Sequence, residues 1–170
     1  GVPDGEEMLQ PTRAHGWIHQ MTCPRELQYR DGRLWQIPVR ELAALREDEH
    51  NWQGRASAAP ALDATRLEFE LGASQVIVDF AGALRLSVDG QGLRLERASL
   101  ETGETLTRYW QGDVRHLRVL CDRSSVEIFI NHGEGVMSSR YFPVHPARVR
   151  FEGASDITLR YWSLRTCMIE

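Results

Sequence analysis

The run Arg66-Leu67-Glu68-Phe69-Glu70-Leu71 alternates charged and apolar side chains without a break. On an extended backbone successive side chains point to opposite faces, so Leu67, Phe69 and Leu71 share one face and Arg66, Glu68 and Glu70 the other. The same period continues downstream: Val76, Val78 and Phe80; Leu84, Leu86 and Val88; Leu93 and Leu95; Leu117, Val119 and Cys121; Val126, Ile128 and Ile130; Val136 to Phe142; Val149 and Phe151; Ile157, Leu159 and Tyr161. Asp89-Gly90-Gln91-Gly92 and Asn131-His132-Gly133 sit between runs as turns, because Asn and Gly tolerate positive φ. Nine or ten short strands recurring about every 8–12 residues predict an all-β domain. Each has one apolar face, so the predicted architecture is an antiparallel two-sheet β-sandwich of jelly-roll or lectin-like type.

Upstream of Ala64 the pattern changes. From Glu47 to Ala64 charge gives way to Ala, Ser and Pro, which predicts a linker, with Trp52 pinning it to a surface. Pro38 predicts the start of one short helix, Val39 to Arg46, since proline is pre-organised for a first helical turn. Leu27 to Tyr29 and Leu34 to Ile37 flank Asp31-Gly32, a hairpin signal. Trp17 to Cys23 reads as a half-buried strand ended by Pro24. Gly1 to His15 shows no periodicity. The expected organisation is therefore 1–46, a strand-rich remnant with a linker helix; 47–64, a linker; and 65–170, the sandwich.

With 170 residues the chain is long enough to bury a core. Its 24 acidic and 20 basic residues form no basic patch, so nucleic acid is not an expected partner. The arginines are scattered along alternating segments, which predicts a solvated sheet face. Cys23, Cys121 and Cys167 follow no disulfide framework, and Cys121 lies in an apolar alternation as a small buried hydrophobe. The sequence has no run of 18 apolar residues and no signal-peptide plan at its start, so no membrane is expected and a reducing, cytoplasmic setting fits. Gly1 reads as an internal cut rather than a natural start.

Two stretches resemble one family. Gly1-Val2-Pro3-Asp4, Pro11-Thr12, Gly16-Trp17, Pro24-Arg25-Glu26-Leu27 and Gln36-x-Pro38-Val39-x-Glu41-Leu42 resemble the end of the catalytic β-propeller of family 32 glycoside hydrolases, the invertases and sucrose-6-phosphate hydrolases. The second stretch, Asp122-Arg123-Ser124-Ser125-Val126-Glu127-Ile128-Phe129-Ile130-Asn131 through Gly133-Glu134 and Ser139-Arg140-x-Phe142-Pro143, is similar to the core of that family's C-terminal sandwich. Pro-Arg-Glu-Leu and Ser-Val-Glu-Ile-Phe, in this order and about 100 residues apart, make a specific pair. The resemblance is nearest to bacterial intracellular members acting on sucrose or its phosphate. It implies a parent that is a retaining β-fructosidase, with nucleophile and acid carboxyl groups about 5–5.5 Å apart. In the family these groups sit in Trp-x-Asn-Asp-Pro-Asn-Gly, Arg-Asp-Pro and Glu-Cys segments. None of these occurs here; Arg30-Asp31 is followed by Gly32. The chain is thus expected to begin after them, with no catalytic, cofactor-binding or metal-binding residue and no cofactor.

Other candidates have ordinary readings. Glu6-Glu7 and Asp48-Glu49 lie outside apolar surroundings that would set one carboxyl apart as an acid, so they read as solvated charge. His15 and His19 have the spacing of a helical metal pair, but on a strand four residues span roughly 13 Å. Glu127, between Val126 and Ile128, is expected to face solvent or an arginine. Arg148 and Arg150 share a strand face and are candidates for a phosphate or sugar. Trp110, Tyr109, Tyr141, Phe142, Tyr161 and Trp162 are candidates for a sugar platform, with at most one of each adjacent pair exposed.

The function expected is that of a non-catalytic C-terminal module stabilising the propeller of a β-fructofuranosidase, the chain being inactive by itself. The alternative is a carbohydrate-binding, lectin-like module; self-sufficient hydrolysis through an unrecognised site is the third. Expected partners are the upstream catalytic propeller domain of the same protein, with a homodimer and a sugar ligand as further candidates. Residues 1–46, lacking the rest of a blade, would be disordered, folded onto the sandwich, or paired with another copy.

Overall fold

The computed structural model describes residues 4–144 and 146–166; Gly1, Val2 and Pro3 of the first motif and Cys167 lie outside the described residues. Among the described residues there are fourteen strands: β1 (Arg25–Arg30), β2 (Arg33–Pro38), β3 (Arg46–Arg55), β4 (Leu62–Asp63), β5 (Arg66–Gly72), β6 (Val76–Phe80), β7 (Leu84–Asp89), β8 (Gly92–Ala98), β9 (Thr105–Gln111), β10 (His116–Asp122), β11 (Ser125–Ile130), β12 (Gly135–Arg140), β13 (Arg148–Glu152) and β14 (Asp156–Leu164). Six-stranded sheet one runs β12-β11-β10-β5-β14-β3, and six-stranded sheet two runs β4-β13-β6-β7-β8-β9. Every pairing is antiparallel. β1 and β2 form a separate two-stranded sheet.

The alternating apolar residues meet between the two large sheets. Phe69 of β5 stacks on Phe80 of β6 with ring centroids 6.4 Å apart and meets Phe151 of β13 edge-on at 5.7 Å. Leu71, Val78, Leu86, Val119, Ile128 and Val149 are fully buried around them. This is the sandwich that the period-two pattern predicts. Its open side is closed where the edge strands β9 and β12 approach. Arg108 donates to the Ser138 carbonyl at 2.9 Å, and the Trp110 indole lies where a Cβ at Gly112 or Gly135 would stand, 2.8 and 2.4 Å from its ring atoms. On the opposite flank β3 is an edge strand with Glu47, Asp48, Glu49 and Asn51 all exposed, a charged fringe that discourages further strand addition.

Three upstream expectations are corrected. The stretch 47–64 is not a linker: β3 pairs with β14 from Arg46↔Leu164 to Arg55↔Asp156, and β4 pairs with β13. Its polar composition reflects an edge position, where only one flank is covered, and Trp52 packs against the core. The helix expected over Val39 to Arg46 is a 3-10 turn, Arg40–Leu45. In that geometry residues three apart are eclipsed, so Leu42 and Leu45 share a half-buried edge while Ala43 points to solvent. Trp17 to Cys23 is extended but joins no ladder, and the aperiodic start contains 3-10 turns at Asp4–Leu9 and Pro11–His15. The hairpin is as expected, with positive φ at both Asp31 (50°) and Gly32 (76°), as a type I′ turn requires.

Two glycines separate conformational from steric constraint. Gly92 has φ of 148°, and a Cβ there would stand 2.0 Å from the Trp110 carbonyl oxygen; Gly82 has φ of 70° in open space. Gly92→Ala should lower the unfolding free energy by about 3 kcal/mol. Gly82→Ala should cost about 1–2 kcal/mol, the left-handed penalty only. Urea denaturation of both variants checks the difference.

Candidate interdomain seam

Period-two alternation assigns Glu68, Arg118 and Glu127 to the outer face of sheet one, where water is expected. Glu68 is instead 0% exposed and Glu127 8%. The N-terminal segment crosses that face, and Arg25 from the hairpin and Arg46 from the start of β3 reach the two carboxylates. Arg46 donates to both oxygens of Glu68, Nε at 3.0 Å and Nη2 at 2.5 Å, and Arg118 adds Nε at 2.7 Å. The Arg46 guanidinium also lies 3.8 Å from the centroid of Trp162, a buried indole. Trp162 in turn donates Nε1 to Glu49, which Arg160 grips with two hydrogen bonds. Glu49 is therefore held down at about 2, first by Arg160 and then by Trp162.

Glu127 does the equivalent work on β11. Its Oε1 accepts the Cys23 amide at 2.6 Å, and its Oε2 accepts Arg25 Nη2 at 2.6 Å. Arg25 also donates to Ser138 on β12 and to Gln36 on β2, so one guanidinium joins hairpin and sandwich. Beside it Arg140 donates to the carbonyls of Ser124 and Ile18 and lies 5.1 Å from the ring centroids of both Trp17 and Phe142. Burial pushes the Cys23 thiol up to about 12, with the neighbouring Glu127 charge adding to the effect. At the far end Asn131 and His132 turn the chain at φ of 48° and 63°, and Gly133 comes so close to β2 that a Cβ would stand 2.4 Å from the Gln36 carbonyl oxygen. The expected turn at Asn131-His132-Gly133 is thus also a docking point for the hairpin.

A third tie anchors the start of the chain to sheet two. Glu6, expected as solvated charge, is buried, and Arg97 of β8 meets it with two hydrogen bonds, at 3.0 and 2.5 Å. The Leu100 amide donates to it as well, at 2.7 Å. Arg97 holds the Glu6 carboxyl below its ordinary 4.5, with burial opposing.

The remaining sequence candidates are dispersed. Asp48 and Glu49 are exposed on β3, and Arg148 and Arg150 are exposed on β13, where Arg148 lies 3.7 Å from Asp63. Tyr141 and Trp162 are buried, Trp110, Phe142 and Tyr161 are half-buried, and Tyr109 is 68% exposed on β9. One member of each adjacent pair does turn inward, but the six rings lie on different strands and faces and make no shared platform. His15 closes a 3-10 turn and His19 lies in the extended segment. Among the described residues no three His, Cys, Asp or Glu side chains converge as a metal site, and no helix is long and apolar enough to cross a membrane. Alternation alone does not reveal these pairings, because Glu127 is met by residues about 100 positions away and Glu68 by Arg46 and Arg118 on other strands. The one available signal was the recurrence of arginine at Arg25, Arg46 and Arg140.

Removing Glu127 should free the segment without unfolding the sandwich. In Glu127→Ala the buried Arg25 loses its counter-charge, a loss of about 3 kcal/mol, so exchange of the Cys23 amide should quicken roughly 100-fold. Alkylation of Cys23 at pH 8, located by peptide mass, should accelerate with it. The Glu6 tie follows pH with a definite sign. Its folded-state pKa is lowered, so its contribution is full above the ordinary carboxylate range and fades as pH falls through the lowered value. Protection of the Leu100 amide, followed by exchange at decreasing pH, should fall in Glu6-dependent fashion and be absent at all pH values in Glu6→Ala.

Comparison with known proteins fits this arrangement. Residues 55–163 match the family model described as glycosyl hydrolases family 32 C terminal. The chain is 53% identical over 171 residues to a sucrose-6-phosphate hydrolase of Klebsiella pneumoniae, covering 100% of this chain and 36% of that protein. It is 34% identical to the sucrose-6-phosphate hydrolase of Bacillus subtilis strain 168, over 96% of this chain and 37% of that one. It therefore spans little more than a third of the length of these relatives. In fold it is similar to a sucrose-6-phosphate hydrolase from Lactobacillus gasseri, with TM-score 0.66 and 23% identity over 83% of this chain and 33% of the other. It is also similar to a Bombyx mori GH32 β-fructofuranosidase, with TM-score 0.67 and 24% identity over 85% and 32%. The chain belongs to glycosyl hydrolase family 32, and its residues 55–163 are that family's C-terminal domain.

Proposed function

We propose that this chain is the non-catalytic C-terminal module of a retaining β-fructofuranosidase acting on sucrose or sucrose-6-phosphate, and that it holds the upstream catalytic propeller in place. The observation that carries this reading is the exposed apolar row of the β1–β2 hairpin. At its base the hairpin is latched to the sandwich through Arg25, Gln36 and Gly133. The cross-strand neighbours Leu27, Tyr29 and Leu34 are 61%, 78% and 54% exposed. Fully burying three such side chains is worth about 5 kcal/mol in total. A propeller blade continuing from this hairpin would cover them, and the Glu68 and Glu127 ties would pass that contact on to the sandwich.

Glycoside hydrolysis by retention needs a carboxylate nucleophile and a carboxylic acid about 5–5.5 Å apart across the scissile bond. The buried carboxylates Glu6, Glu68 and Glu127 are each occupied by guanidinium groups, which suits them to fastening rather than to proton transfer. A cytoplasmic setting is part of the proposal, supported by the unpaired thiols of Cys23 and Cys121. A homodimer through the exposed hairpin face is the competing occupant.

The test compares this chain with one extended upstream to the length of its relatives, assayed on sucrose and on sucrose-6-phosphate. Hydrolysis by the longer chain only is expected. Leu27→Asp combined with Tyr29→Asp should lower the melting temperature of the longer chain and leave this chain's nearly unchanged. Hydrolysis by the 170-residue chain would overturn the proposal. Concentration-dependent sedimentation of the longer chain that the double variant abolishes would assign the hairpin face to a second copy instead.

A further inference from the structure

The N-terminal segment covers only part of the outer face of sheet one. At the other end four neighbouring strands present an open row in register: Gln53 of β3, Thr158 of β14, Gly72 of β5 and His116 of β10. The next row toward the seam is Asn51, Arg160, Glu70 and Arg118. Three inter-strand spacings make the row about 14 Å long, and the two rows are about 7 Å apart. Gly72 has no side chain, and the Thr158 hydroxyl lies over it: a Cβ there would stand 2.4 Å from Thr158 Oγ1. The result is a shallow transverse groove with the Thr158 hydroxyl at its middle and Asn51 and Gln53 at its β3 end.

The groove's polar groups point to the kind of ligand. Gln53 and Thr158 are exposed and make no side-chain hydrogen bond among the described residues. His116 Nδ1 is buried and has no partner there either. Its ring stacks on His132 with centroids 4.1 Å apart, and burial followed by that neighbour lowers its pKa. The imidazole is thus neutral near pH 7, with one donor and one acceptor. The charges beside the groove are balanced: Arg160 is held by Glu49, and Glu70 lies 3.5 Å from Arg46. An anion would meet Glu70 with no uncompensated guanidinium to receive it. An apolar ligand would strand amide, hydroxyl and imidazole groups away from water. A chain of hydroxyl groups can meet the exposed Gln53 amide and Thr158 hydroxyl.

We propose that this groove binds a neutral oligosaccharide lying across β3, β14, β5 and β10, with Gln53, Thr158 and His116 along one side and Asn51 and Glu70 along the other. The site uses none of the six aromatic residues that the sequence suggested. From the proposed function it takes only its first choice of sugar, a fructan.

The experiment titrates the 170-residue chain with a short linear fructan and, in parallel, a short linear glucan, following amide proton–nitrogen spectra. Saturable shifts at Gln53, Gly72, His116 and Thr158, with Kd of about 1 mM, are expected. Response to either sugar supports the groove and identifies the sugar class. Gln53→Ala combined with Thr158→Ala removes two solvent-facing groups, so the melting temperature should hold while binding weakens about 10-fold. His116→Ala should weaken it further. Absence of saturable shifts with both sugars at about ten times that Kd, shifts centred on Tyr109, or unchanged affinity in the double variant would each overturn the proposal. Such a failure would leave the module role untouched, because that role is read from activity of the extended chain.

Discussion

Two carboxylates on a sheet face that should be wet, Glu68 and Glu127, fix how the rest of this chain is arranged. Taking an ion pair out of water gains little by itself, because desolvation offsets most of the Coulomb attraction. Its force is in the asymmetry: removing one partner leaves an uncompensated buried charge. Arg46 and Arg25 therefore have one favourable position each, and the segment that carries them has one favourable path across sheet one. Apolar packing would not have supplied this. The segment offers few buried hydrophobic side chains, and Met21 and Leu27 face solvent.

From that constraint the placement of the hairpin follows. Arg25 reaches Glu127, Ser138 and Gln36 at once, so β1 and β2 are oriented by the sandwich even though no strand of either large sheet pairs with them. Gly133 completes the fit by letting the turn after β11 approach the backbone of β2. The glycine and the left-handed Asn131 and His132 before it are thus part of the docking surface. A face oriented this way, with Leu27, Tyr29 and Leu34 exposed, is suited to receive a neighbour.

The sandwich itself was legible because alternation in β5, β7 and β13 is strict, and register in a two-sheet core leaves no other face for Phe69, Phe80 or Phe151. β3 was not legible. As an edge strand it is covered on one flank only, so most of its residues are polar and its composition resembles a linker. The Arg40–Leu45 turn was misread as a helix because a single turn of apolar spacing cannot distinguish period 3.6 from period 3. Glu6, expected as solvated charge, is buried, and Glu127, expected to face solvent or an arginine, meets Arg25, for a deeper reason. Period-two analysis says which face a side chain is on, and whether that face is wet depends on what crosses it. The family motifs at Pro24-Arg25-Glu26-Leu27 and Ser125-Val126-Glu127-Ile128-Phe129 were recognised separately; that the arginine of one binds the glutamate of the other is a fact of tertiary structure.

The same reasoning locates the open groove. The covering segment is anchored at Glu68 and Glu127, so it lies over β10, β11 and β12 and the near end of β5, and it turns into β3 at Arg46. Residues beyond that crossing, Gln53, Thr158, Gly72 and His116, stay on the same face but outside the cover. The centre of the groove is a glycine under a threonine hydroxyl, and its charged groups, Arg160 and Glu70, are each paired with an opposite charge. A sheet whose one half fastens a neighbouring segment through charge and whose other half offers exposed amide and hydroxyl groups among balanced charges divides two tasks along a single face, and the division falls where the guanidinium of Arg46 crosses it.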